Sequence, residues 1–178
     1  MTETLAREAT GLDRRSFMAG AATAAIVVSG GALIHSGEAW GLEVKNLTPE
    51  AMRTLIRMAR DIYPHDRLAD KFYAIAMKGF DDKSSDAATK KGLEDGIAGL
   101  DAAAKAAHGT GYADVAWEGQ RTKLLEGMQG TPFFQGIRGG LVVSLYNQKD
   151  VWPLFGYEGE SASKGGYINR GFNDINWL

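Results

Sequence analysis

At 178 residues the chain is about one domain long, and its 20 Lys and Arg against 22 Asp and Glu leave it nearly neutral. That balance excludes the basic surplus of a nucleic-acid binder. The chain has no cysteine. This excludes disulfides, thiolate metal sites, iron–sulfur clusters, a Cys nucleophile and a covalently attached c-type haem.

The first predicted element is an export signal over residues 1–39. Residues 11–18 read Gly-Leu-Asp-Arg-Arg-Ser-Phe-Met. The paired Arg14 and Arg15, followed by a polar residue and the aromatic Phe17, form the address read by the twin-arginine translocase. The stretch Met18–Ile34 carries no charge and is built mostly from Ala, Gly, Val and Ile, as a signal core requires. Small residues at Gly37 and Ala39 predict a cut after Ala39. Left uncut, the same stretch would serve as a membrane anchor. The predicted location is the periplasm, reached by a route that carries proteins already folded.

Residues 40–150 are expected to form a helical domain. Thr48-Pro49-Glu50 is a helix start, with Thr at the N-cap, Pro in the first turn and an acid near the positive helix end. Met52, Leu55, Ile56, Ala59 and Ile62 then fall on one face. Pro64 ends this helix, because the residue before a proline is pushed out of helical geometry. Asp66 is placed to cap a second helix, with Leu68, Phe72, Ile75, Ala76 and Phe80 inward. The polar stretch Asp81–Asp86 reads as a connection. A third helix spans 86–107 with Leu93, Ile97 and Leu100 inward, until Gly109-Thr110-Gly111 breaks it. A short segment with Tyr112, Val115 and Trp117 leads to a fourth helix over Gln120–Met128. Gly130-Thr131-Pro132 starts a fifth, running to about Tyr146 with Asn147 as its stop. No run alternates apolar and polar residues for long enough to predict a strand. The expected fold is all-α, a bundle of about five helices.

Residues 151–178 differ. Trp152, Phe155, Tyr157, Tyr167, Phe172 and Trp177 are interleaved with glycines and one proline, with no helical or strand period. Such an arm makes no core of its own. It lies either across its own bundle or on a partner, where aromatics on an adaptable backbone supply much of the binding energy.

Chemistry-bearing patterns are few. His65 beside Asp66 is the one pair with catalytic potential, although residues in such a turn also serve as caps bonded to backbone. His108 closes an alanine-rich helix, where an imidazole suits the negative helix end. Gly109-Thr110-Gly111 lacks the third glycine and the preceding strand of a dinucleotide loop. No phosphate loop, serine elbow or His/carboxylate cluster with metal spacing is present. Asp81-Asp82 and Glu94-Asp95 read as solvated faces. The pattern predicts no cofactor and no metal in this chain. An accessory subunit fits it better than a stand-alone enzyme using His65 and Asp66, or a sugar-binding module stacking its ligand on the arm.

Two blocks also carry a family resemblance. One is Asp61-Ile62-Tyr63-Pro64-His65-Asp66. The other comprises Thr131-Pro132-Phe133-Phe134, Leu145-Tyr146-Asn147, Val151 through Gly159, and Gly165-Gly166-Tyr167. With the twin-arginine leader, these resemble the gluconate 2-dehydrogenase subunit 3 family over most of the mature chain. The resemblance implies the small subunit of a periplasmic sugar or alcohol dehydrogenase. FAD and the catalytic histidine would belong to a glucose–methanol–choline-type large subunit, often joined by a c-type cytochrome. It implies further that the small subunit carries the export signal for the large one and helps to fold or stabilise it, with no catalytic residue of its own.

Overall fold

The computed structural model describes residues 32–33, 43–169 and 172. Five helices carry the fold: α1 (Pro49–Ile62), α2 (Asp70–Lys83), α3 (Ala87–His108), α4 (Glu118–Glu126) and α5 (Pro132–Tyr146). The chain is all-α. Strand structure among the described residues is confined to one antiparallel bridge between β1 (Ala32–Leu33) and β2 (Glu43–Val44), in which Ala32 faces Val44.

The helix ends follow local chemistry. The Thr48 hydroxyl accepts the Ala51 amide at 3.1 Å and Pro49 opens α1. Thr131 does the same for α5, accepting the Phe134 amide at 3.2 Å ahead of Pro132. Asp86 caps α3 through the Thr89 amide at 2.8 Å. Gly109 closes α3 at φ 75°, a left-handed conformation that glycine adopts without strain.

α1 is the central helix. It contacts all four of the others, so it is buried well beyond the expected stripe: Thr54, Met58 and Asp61 are inside along with Met52, Leu55, Ile56 and Ala59. α2 packs against both α1 and α5, and α3 lies against α1, α4 and α5. Tyr73 and Met77 of α2, Leu100 of α3, and Ile137, Leu141 and Leu145 of α5 fill the middle. Each such side chain contributes about 1.5–3 kcal/mol on leaving water. Val151, wholly buried, closes the end of the core where the arm begins.

Three local expectations are corrected. Asp66 does not cap α2, which begins at Asp70 with Ala69 in the N-cap place and no side-chain cap. The turn before it is held instead by the Leu68 amide on the His65 carbonyl and by Arg60. Ile75 faces outward, 51% exposed, because the inward stripe of α2 runs through Tyr73, Met77 and Asp81. Asp81 and Asp82 belong to α2 rather than to a connection, and Asp81 is fully buried instead of solvated. α4 also sits slightly earlier than expected, starting after Trp117 and ending at Glu126. Glu94 and Asp95 do lie on a solvated face, paired with Lys90 and Lys91 one turn earlier.

Candidate functional site

The short α1–α2 turn and the start of the arm meet at one end of the bundle. Tyr63 leaves helical geometry ahead of Pro64, and its carbonyl accepts the Tyr73 hydroxyl at 2.6 Å. Arg60 spans the turn, donating to the Leu68 carbonyl and to Asp70, both at 2.8 Å. The turn is thereby fixed at three places. His65 is held over the last turn of α5, where its Nε2 lies 2.6 Å from the Tyr146 hydroxyl oxygen.

The arm covers this contact. Trp152–Phe155 form a single 3-10 turn. The Trp152 indole N–H donates to the Tyr146 carbonyl at 2.8 Å, satisfying a helix-end acceptor. The Phe155 ring stands edge-on to His65 at 5.0 Å and 5.9 Å from Tyr146, which itself lies edge-on to Tyr63 at 5.9 Å. Tyr157 meets Trp152 edge-on at 5.3 Å. These separations suit the edge-to-face packing of aromatic quadrupoles. Gly159, buried at φ 99°, lies against the Trp152 ring, where a Cβ would come within 3.3 Å. The site therefore needs glycine for both backbone and space.

The surface that results is aromatic and half open. Phe155 is 45% exposed and Tyr157 47%, and Tyr167 and Phe172 are more exposed still. A cleft of about 310 Å³ runs beside it, between Pro64, His65 and Arg67 on one wall and Phe155 on the other. Burial, reinforced by Arg60, holds the His65 imidazole below its ordinary pKa, against a smaller opposing pull from Asp66. Burial and the neighbouring Tyr63 hold the Tyr146 hydroxyl above its ordinary value. Both shifts favour the uncharged forms of the His65–Tyr146 pair.

The arm is thus divided. Trp152, Phe155 and Tyr157 gather at the α1–α2 turn with Tyr63, Pro64 and His65. Tyr167 and Phe172 lie outward, with no ring contact among the described residues. The His65 ring meets Tyr146 rather than the adjacent Asp66 carboxylate. His108 ends α3 as expected, and Trp117 is 66% exposed. Arg14, Arg15, Phe17, Ala39 and Trp177 lie outside the described residues.

Two buried carboxylates escaped the sequence. Asp61 receives Arg121 in a bidentate pair, Nε at 2.7 Å and Nη2 at 2.8 Å, and the Tyr112 hydroxyl at 2.6 Å. Arg121 also donates to the carbonyls of Val115 at 2.8 Å and Ala116 at 3.0 Å. Burial, then the Asp61 charge, push the Tyr112 hydroxyl far above its ordinary value. The network fixes the start of α4 and the 3-10 turn Tyr112–Asp114 to the end of α1. Asp61 also backs a cleft of about 490 Å³ between α1, α4 and α5, rimmed by Glu126, Gln135 and Arg138. Its position seven residues after Thr54 and three after Met58 put it on a helix face, but only the packing of α1 made that face interior.

Asp81 is the second. Its carboxylate accepts three successive amides, those of Lys45 at 2.8 Å, Asn46 at 3.0 Å and Leu47 at 2.8 Å. Among the described residues no group of three or more His, Cys, Asp or Glu could hold a metal ion, and no helix is long and apolar enough to cross a membrane. Compared with protein-family models, with curated proteins and with solved structures, the chain shows no match.

Proposed function

We propose that this chain is the non-catalytic small subunit of a periplasmic, FAD-dependent sugar or alcohol dehydrogenase. In this reading it supplies the twin-arginine signal through Arg14 and Arg15. It also stabilises a glucose–methanol–choline-type large subunit that carries the flavin. One observation carries the reading. The two blocks on which the family resemblance rests are some eighty residues apart in sequence, yet His65 and Tyr146 meet at 2.6 Å and Phe155 closes over them. Together they form one half-open aromatic surface. A rigid cluster of aromatics with a neutral histidine at its centre suits a lasting protein interface, where such side chains concentrate the binding energy.

Purifying the tagged chain from the periplasm and identifying what accompanies it by mass spectrometry tests the reading. The tagged chain is expected to co-purify from the periplasm with an FAD-containing subunit, and a c-type cytochrome fits as a third component. Replacing Arg14 and Arg15 by Lys should leave both subunits inside the cell. A large subunit that reaches the periplasm and turns over without this chain would refute the proposal.

A further inference from the structure

The chain N-terminal to Val44 starts from a fixed point. Val44 and Leu47 are buried in the core, and the amides of Lys45, Asn46 and Leu47 all end on the one Asp81 carboxylate. The Asn46 side-chain amide adds a bond to the Asp81 carbonyl at 2.8 Å. Only a carboxylate can do this here. Two acceptor oxygens take three N–H groups, whereas an amide side chain would turn its own NH2 toward them.

This point lies at the C-terminal end of α2, beside the first turn of α1. The aromatic surface lies at the opposite end. There the end of α1, the start of α2 and the end of α5 come together, as the contacts of Tyr63 with Tyr73 and Tyr146 record. At a rise of about 1.5 Å per residue, Asp81 sits about 17 Å along α2 from Asp70. A partner centred on His65 and Phe155 thus has its centre about 17 Å or more from the Asp81 end.

We propose that Asp81 anchors the exit of the N-terminal segment at the end of the bundle away from the aromatic surface, so that a bound partner and the export machinery engage the chain together. The inference rests on the export and subunit reading above and adds its geometry.

The test uses the full chain with the flavoprotein that co-purifies with it. In Asp81→Asn, trypsin should cut the Lys45–Asn46 bond about tenfold faster than in the parent, since the side-chain NH2 faces at least one of the three backbone amides and the rest keep only an uncharged acceptor. Export of the flavoprotein should fall by about threefold or more while its affinity for the purified chain is unchanged. An unchanged cutting rate, or unchanged export with the bond freed, overturns the proposal. A second measurement needs no variant. In the parent complex, trypsin should cut the Lys45–Asn46 bond as in the free chain, and protection by the bound flavoprotein of about tenfold or more would overturn the two-ended arrangement. Arg14→Lys with Arg15→Lys runs in parallel. Export that survives there sinks the signal reading itself, whatever Asp81→Asn does.

Discussion

Arg121→Met isolates the contribution of the buried ion pair. The substitution keeps most of the side-chain volume but removes four donated bonds, two to Asp61 and one each to the carbonyls of Val115 and Ala116. Asp61, with its side chain 2% exposed, is left with the Tyr112 hydroxyl alone. Breaking a buried pair from one side costs about 3–5 kcal/mol, because the remaining charge has neither water nor a counter-ion. For a domain of this size that is a fall of about 10–20 °C in Tm. Urea unfolding followed by circular dichroism at neutral pH reads it directly, provided the slope with denaturant is unchanged.

The stronger check is the double variant Asp61→Leu with Arg121→Met. If an unpaired charge dominates the loss, removing the second partner should recover a large part of it, though the carbonyls of Val115 and Ala116 still lack donors. Tyr112→Phe, which withdraws one bond from the carboxylate, should cost about 1–3 kcal/mol. A loss below about 1 kcal/mol in Arg121→Met, or a double variant less stable than the single one, would refute this account of how α4 is held to α1.

Three further outcomes follow from other contacts. Gly96→Ala should destabilise by about 1–3 kcal/mol, because a Cβ there runs into the Phe133 ring, whereas Gly99→Ala one turn on, facing open space, should stabilise by about 0.5–1 kcal/mol; urea midpoints compare them. The folded state binds a proton at His65 more weakly than the unfolded chain, so its contribution is complete above about pH 6.5 and is lost as pH falls through the lowered value. The difference in stability between parent and His65→Gln, measured from about pH 7.5 to 5, should shrink on acidification, and a pH-independent difference would refute it. Phe155→Ala should weaken binding of the proposed flavoprotein partner by about 2 kcal/mol or more in calorimetry while costing the free chain less, about 1 kcal/mol in urea unfolding, since the ring is 45% exposed and meets His65 edge-on and Tyr146 at a tilt.

The legible parts of the fold were those whose cause is local. Thr48-Pro49 and Thr131-Pro132 announce their helices because a hydroxyl and a proline act within one turn, and Gly109 ends α3 because its own backbone takes φ 75°. What stayed hidden depends on partners far along the chain. Asp61 and Asp81 carry the same signal as any solvated acid until Arg121, 60 residues on, and the amides of residues 45–47, about 35 residues back, are brought to them. Ile75 read as core for the complementary reason, since a stripe of apolar residues does not say which of two adjacent faces the neighbours choose.

The candidate site sits between these cases. Tyr63-Pro64-His65-Asp66 and the aromatic arm were each visible as patterns, but their meeting was not. It depends on α2 running back alongside α1 and on α5 packing along α2, which brings the α1–α2 turn to the end of α5. That dependence has a physical consequence for the proposed interface. The Trp152 indole bonds to the carbonyl of Tyr146 while the Tyr146 hydroxyl meets His65. The last turn of α5 thus holds both halves of the surface, and no half is preformed without the bundle. Only a folded chain presents the whole aromatic surface, so the interface proposed above would form after the bundle has folded rather than before it.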